Sequence, residues 1–122
     1  MPRRAIKINL SGLYQALGED SVVFFYDKLH LRSIEYKNVI DRLAGRAKDY
    51  HVVYIDANKY LQDILDSGIG EAIFRQSIAG TFVGGRPPVL ILTDKNRKSG
   101  FCLRHLPLDL LEREVGLFFN HR

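Results

Sequence analysis

The sequence lacks the features of disulfide-linked and membrane-spanning proteins. Its 122 residues include a single cysteine, Cys102, so no internal disulfide can form, and this usage indicates a reducing compartment. No apolar run approaches the roughly 20 residues that a membrane-spanning helix needs. The basic N-terminus, MPRRAIKINL, has no long apolar stretch of the kind found in secretory signals. We therefore expect a cytoplasmic protein without a membrane span.

Clustered metal ligands and a phosphate-binding loop are also missing. The histidines have no close ligand spacing, and no Cys/His cluster accompanies them. The segment GGRPP at 84–88 lacks the lysine and the Ser/Thr of a phosphate loop, and no GxGxxG follows a predicted strand. We expect neither a metal nor a cofactor.

Charge of one sign is only mildly in excess, at a formal net charge of +4. A basic domain attracts nucleic acid, anionic lipid or an acidic protein. A nucleic-acid-binding domain would need a contiguous Lys/Arg face and would bind with steep salt dependence. Here Arg3 and Arg4, the 42–48 segment and DKNRK at 94–98 are separate in sequence. This alternative stays open, but the scattered charges favour an ordinary solvated surface.

Apolar patterns predict strands and helices that alternate along the chain. The continuous run VVFFY at 22–26 is typical of a central strand buried on both faces. From Ser33 to Asp49, apolar residues recur at helical spacing, and we expect them to face the core: Ile34, Val39, Ile40, Leu43 and Ala47. The predicted strands are 5–10, 22–26, 51–57, 89–93 and 101–106, the last two forming a hairpin. The predicted helices are 11–17 with Ser11 as its cap, 33–49, 58–68, 71–80 and one after Pro107.

The order of these elements resembles the thioredoxin superfamily. VVFFYDKLHLRSIEYKNVIDRLAG, residues 22–45, matches the family's apolar strand, active-site turn and long helix. GGRPPVLILTDKNRKSGFCLRHLPLDLLEREV, residues 84–115, matches its cis-proline loop, hairpin and C-terminal helix, with Pro88 at the cis-proline position. The resemblance implies an α/β fold: a single thioredoxin-like domain over residues 1–122, with a mixed sheet of about four to five strands flanked by helices.

The resemblance fails at the residues that carry the family's redox chemistry. Aligning the aromatic strand ends places His30 and Ser33 where the two cysteines of the CxxC motif would lie, so the motif reads HLRS. Dithiol exchange needs one thiolate to attack a disulfide and a second thiol to resolve the mixed disulfide. Cys102 lies outside the motif. We therefore expect a redox-inactive protein that is not a dithiol oxidoreductase.

The leading interpretation is a binding module, either an adaptor or a chaperone-type subunit. Members of the superfamily that lack CxxC include hydrogenase-maturation chaperones, and the family's substrate groove lies between the CxxC loop and the cis-proline loop. Leu29 and Leu31 form an apolar pair in the turn, which suits a contact surface. Arg32 and Arg86 would make the rim of the groove cationic and favour an acidic partner. The resemblance transfers the groove for a protein or peptide partner to Leu29, His30, Leu31, Arg32, Ser33, Arg86, Pro87 and Pro88.

The rival interpretation is an enzyme that works without a thiol. His30 would act as a general base and Ser33 as the hydroxyl that stabilises a thiolate, as in some glutathione transferases of the superfamily. This predicts a deep pocket beside both residues and a perturbed histidine pKa. Simpler roles exist: Ser33 suits a helix N-cap, His30 suits an exposed loop, and Asp56 suits a structural or capping position.

The C-terminal helix raises the question of oligomerisation. Leu108, Leu111, Val115 and Phe118 fall on one face at helical spacing. Phe119 comes directly after Phe118, and two adjacent phenylalanines do not easily face the same core. A homodimer that covers the second ring is therefore an alternative partner arrangement.

Overall fold

The computed structural model describes residues 4–29, 31–66, 89–96, 98–102 and 107–120, with the backbone alone at Arg32, Leu61, Leu65 and 98–102. In chain order the elements are β1 (Ile6–Ile8), α1 (Leu10–Leu17), β2 (Ser21–Tyr26), α2 (Leu31–Arg46), β3 (His51–Asp56), α3 (Ala57–Asp66), β4 (Val89–Thr93), β5 (Lys98–Cys102) and α4 (Leu108–Asn120). Of the helices in these ranges, none is both long and apolar enough to cross a membrane.

The strands form one mixed sheet in the order β1-β3-β2-β4-β5. β1 and β2 lie on either side of β3 and run parallel to it, whereas β4 is antiparallel to both β2 and β5. The parallel strands are joined by helices, and β4 and β5 form the predicted hairpin. The prediction of an α/β fold with a mixed sheet flanked by helices is confirmed.

The apolar run of β2 lies at the centre because both faces of the sheet are covered. Successive side chains of a strand point to opposite faces, and Phe24 and Phe25 are both fully buried on opposite sides. Phe24 packs in a cluster with α2 and α4. Phe25 packs in a second cluster with α1 and α3. Two apolar layers therefore hold β2 and fix the position of the loop that follows it.

Several predicted element boundaries are wrong. The first helix is capped by Asn9, whose Oδ1 accepts a hydrogen bond from the Gly12 N–H at 2.9 Å, and not by Ser11. The preceding strand consequently shortens to Ile6–Ile8. The returning strand of the hairpin begins at Lys98 and not at residue 101, so the turn is tighter than predicted. The predicted helix at 71–80, the 81–88 loop and residues 103–106 lie outside the described part of the chain.

The expectation that Phe118 and Phe119 face different surroundings is also wrong. Both rings are buried in the same cluster and contact each other edge to face, with centroids 4.9 Å apart. Phe119 additionally stacks on Tyr50, with centroids 4.2 Å apart. The apolar stripe of a core-facing helix is about 100° wide or more, which accommodates two consecutive residues. The argument from these two rings for a homodimer therefore falls away.

Candidate functional site

The junction between β2 and α2 lies at the carboxyl edge of the sheet. Tyr26, the last residue of β2, is paired with Asp56, the last residue of the parallel strand β3. The loop after β2 therefore lies beside the start of α3. In open α/β sheets, ligands bind outside the carboxyl ends of the strands. A binding site is therefore expected at this edge.

Three consecutive backbone N–H groups of the β2–α2 loop are held by side chains. The Asp27 N–H donates to Ser33 Oγ at 2.9 Å, and the Lys28 N–H donates to Asn58 Oδ1 at 3.1 Å. The Leu29 N–H donates to Asp27 Oδ1 at 3.0 Å. One anchor lies on α2, one on α3 and one within the loop. The loop backbone is thereby fixed to both neighbouring helices.

Asp56 caps α3, as the sequence predicted. Its Oδ1 accepts hydrogen bonds from the Asn58 N–H at 3.0 Å and the Lys59 N–H at 3.3 Å. Such a cap satisfies N–H groups that have no partner within the helix. It also fixes the first turn of α3, from which Asn58 reaches the loop. Asp56 therefore supports the junction structurally.

Ser33 is fully buried and lies in the first turn of α2, which begins at Leu31. The N-cap interpretation of Ser33 is wrong, because the helix starts two residues before it. Its Oγ points back to the loop and accepts the Asp27 N–H, which leaves the oxygen inside the protein. Ser33 is thus not part of an exposed contact surface. A hydroxyl in this position also gives the transferase interpretation no accessible group at residue 33.

Apolar side chains face outward at the same junction. Leu29 and Leu31 are each 81% exposed, and Ile34, one turn further along α2, is 48% exposed. Sequence analysis placed Ile34 in the core, which is wrong. Ile34 precedes Ile40 by six residues, and at about 100° per residue it lies about 120° away from Ile40 around the helix. Tyr36, which is fully buried, lies on the inward face instead.

The remaining predicted site residues are only partly visible. His30, Arg86, Pro87 and Pro88 lie outside the described residues, so the geometry of the proposed groove rests on its β2–α2 side. Arg32 lies on the first turn of α2 by its backbone. Of the predicted set, the structure brings Leu29 and Leu31 to the surface and Ser33 to the interior.

Three basic residues of α2 lie within 4 Å of carboxylates. Arg46 Nη1 lies 3.1 Å from Glu112 Oε2, and Arg42 Nε lies 3.8 Å from Glu112 Oε1. Lys37 bonds to Asp41 at 2.9 Å. A contiguous basic face, which the nucleic-acid alternative requires, is not formed by these residues. Across the described ranges, no group of three or more metal-ligating side chains comes together.

The pKa of Tyr50, a half-buried residue that packs against the same core cluster as α2, is perturbed. Burial raises the pKa of Tyr50 above its ordinary value, and the nearby negative charge of Glu112 raises it further. Tyr50 packs on Phe119 in the core that supports α2. Its neutral form is therefore the one that the fold favours.

Comparison with solved structures identifies a thioredoxin-like fold. The structure is similar to a mutant thioredoxin from Halobacterium salinarum NRC-1, with a TM-score of 0.65 and 15% identity over 94% of this chain and 90% of that one. It is also similar to the Malassezia sympodialis thioredoxin Mala s 13, with a TM-score of 0.61 and 12% identity over 96% of this chain and 93% of that one. No protein-family model and no curated protein matches the sequence. At these identities the likeness concerns the fold.

Proposed function

We propose that this protein is a non-catalytic, redox-inactive thioredoxin-like module, an adaptor or chaperone-type subunit, that binds a protein or peptide partner at the β2–α2 junction. The observation that carries the proposal is the outward position of Leu29 and Leu31, each 81% exposed. Leu29 lies on a loop whose backbone is held by side-chain hydrogen bonds, and Leu31 is the first residue of α2. His30, Arg32, Arg86, Pro87 and Pro88 complete the proposed groove. A protein partner of acidic character is expected.

The energetics favour a contact surface. Fully burying a leucine side chain stabilises by about 1.5–3 kcal/mol, so two leucines offer a partner a substantial apolar anchor. Ordering a flexible loop on binding costs conformational entropy, and a loop that is already fixed avoids most of that cost. The hydrogen bonds that the loop N–H groups donate to Ser33 and Asn58 are thus what makes the exposed leucines useful for binding.

The polar groups at the junction support the same proposal. Ser33 Oγ, Asp27 Oδ1 and Asn58 Oδ1 each accept a backbone N–H of the loop, and Asp56 Oδ1 caps α3. A catalytic site needs such groups directed at a substrate. Here these oxygens accept hydrogen bonds from the protein's own backbone, while apolar side chains face solvent.

Site-specific photo-crosslinking in native lysate tests the proposal. A photoreactive amino acid at position 31 is expected to capture a discrete protein partner, whereas the same amino acid at Tyr14, 50% exposed on α1, is expected not to capture it. Introducing Leu29→Asp in the protein labelled at position 31 should abolish the crosslink, while Leu117→Asp, also at an exposed apolar position, should not. Equal capture from positions 31 and 14 would contradict the proposal.

A further inference from the structure

The exposed side of α2 forms a continuous stripe along the helix. At about 100° per residue, positions spaced by three or four fall on one side. Reading from the N-terminal end, the stripe is apolar, then mixed, then cationic. Its exposed members are Leu31, Ile34, Glu35, Asn38, Arg42, Gly45 and Arg46.

We propose that the partner lays an acidic amphipathic helix along this stripe, with its apolar residues against Leu31 and Ile34 and its carboxylates against Arg42 and Arg46. This inference rests on the proposed function and specifies the chemistry of the partner. It extends the contact surface from the β2–α2 loop along the whole of α2.

The dimensions of α2 suit a helical occupant. The helix has 16 residues, which span about 24 Å at 1.5 Å per residue. The stripe follows the i, i+3 and i, i+4 rows whose ridges and grooves receive a second helix. A partner helix of about four to five turns covers both the apolar and the cationic end.

The cationic end has an imbalance that a carboxylate would correct. The side chains of Arg42 and Arg46 are 62% and 69% exposed, and both are directed at the single carboxylate of Glu112. Only Arg46 lies within hydrogen-bonding distance of it, at 3.1 Å. Lys48, also exposed, follows just beyond the helix. Arginine pairs with carboxylates in a geometrically specific manner, so acidic residues on the partner would fix its register here.

The apolar end distinguishes a protein partner from a nucleic acid. Arginines alone would suit phosphates as well as carboxylates. Leu31 and Ile34 lie on the same stripe, and Glu35 beside them repels phosphates. A partner that is apolar at one end and acidic at the other satisfies the whole stripe.

Three synthetic helical peptides of about 18 residues, matched in length to α2, test this inference. The first carries leucines at one end of one face and glutamates at the other end of that face. In the second, lysines replace the glutamates, and in the third, glutamines replace the leucines. Fluorescence anisotropy of the labelled peptides with the intact protein gives the affinities, and amide chemical shifts map the site.

The leucine–glutamate peptide is expected to bind about tenfold more tightly than either control peptide and to shift amides from Leu31 to Arg46. The folded variant with Arg42→Glu and Arg46→Glu should reverse the preference in favour of the lysine peptide. Glu35→Gln, which removes a charge of the opposite sign from the same stripe, should not weaken the glutamate peptide. Comparing peptides on the unaltered protein requires no variant to fold.

Equal binding of the glutamate and lysine peptides, shifts confined to another face, or no binding at all would overturn the inference. Binding of a DNA duplex that is lost in the double arginine variant, with no peptide preference, would overturn it in favour of nucleic acid. The proposed function is tested separately by crosslinking from position 31. A partner captured there, together with no peptide preference, would reject only the acidic helix.

Discussion

Replacing Ser33 by alanine is expected to lower the free energy of unfolding, whereas the same replacement at Ser21 is expected to leave it unchanged or raise it. Both serines are fully buried. They differ in bonding: Ser33 Oγ accepts the Asp27 N–H at 2.9 Å, but Ser21 Oγ has no hydrogen-bond partner among the described residues. Comparing the two serine-to-alanine substitutions therefore separates the effect of losing the hydrogen bond from the effects of burial and of removing a hydroxyl.

The magnitudes follow from these surroundings. Ser33→Ala leaves a backbone donor without its acceptor, which costs about 1–3 kcal/mol. Alanine is the better helix former, and this offsets about 0.5 kcal/mol because residue 33 lies within α2. The expected net loss is about 0.5–2.5 kcal/mol. Ser21→Ala removes a buried hydroxyl that lacks a partner, and its expected effect lies between no change and a gain of about 1 kcal/mol.

Urea unfolding measures both effects. The protein contains no tryptophan, so far-UV circular dichroism is the suitable signal. With a slope of about 2 kcal/mol/M, the Ser33 variant should unfold at a midpoint lower by roughly 0.3–1.3 M. Amide hydrogen exchange adds a local readout, since the Asp27 N–H should exchange faster in the Ser33 variant alone.

Two results would refute this reasoning. Equal destabilisation by both substitutions would mean that loss of buried volume, and not the hydrogen bond, sets the cost. An unchanged exchange rate at Asp27 in the Ser33→Ala protein would mean that the serine does not hold the loop, and the argument for a fixed docking loop would fail with it.

Further substitutions test the helix caps and the half-buried Tyr50. Asp56→Ala should lower the free energy of unfolding by about 1 kcal/mol through loss of the α3 cap. Asp63 is exposed on the same helix, and Asp63→Ala should change it by less than about 0.5 kcal/mol. Thermal or urea unfolding measures both. Asn9→Ala should also cost about 1 kcal/mol, and Ser11→Ala should not; the reverse ranking would restore the cap predicted from the sequence. Because the pKa of Tyr50 is raised by burial, the unfolded chain loses this proton first as the pH rises above about 10, and stability falls. Tyr50→Phe should make that fall shallower in urea titrations across this range, and an equal slope would contradict the assignment.

Sequence patterns correctly predicted the central strands, whose side chains are buried on both faces of the sheet. The strand at 22–26 and the hairpin strand at 89–93 are short apolar runs bounded by turn residues, and their burial follows from that pattern. The order of these elements was enough to predict the thioredoxin-like fold. The structural or capping role of Asp56 was expected from the resemblance, since an acidic residue often follows this strand in thioredoxin-like chains.

The two wrong helix caps, Ser11 and Ser33, share a physical origin in the register of helix starts. Serine is favourable both as a cap and as a buried acceptor, so composition alone does not say whether α2 starts at Leu31 or after Ser33. Starting the helix two residues earlier buries Ser33 and turns Leu31 outward. Ile34 was misplaced because it was grouped with Val39, Ile40 and Leu43 at helical spacing, although about 100° per residue puts it about 120° or more from each of them. A stricter use of the spacing would have predicted its exposure.

The position of Ser33 also bears on the proposed binding role of the junction. An oxygen at this position accepts a backbone N–H and ties the loop to α2, while a thiol sulfur is a weak acceptor. The resemblance to thioredoxins aligns Ser33 with one of the two CxxC cysteines, and a cysteine there would hold the Asp27 N–H less well than the serine does. Under the proposed function, this hydrogen bond is what keeps the loop in place, so that Leu29 stays outward for a partner.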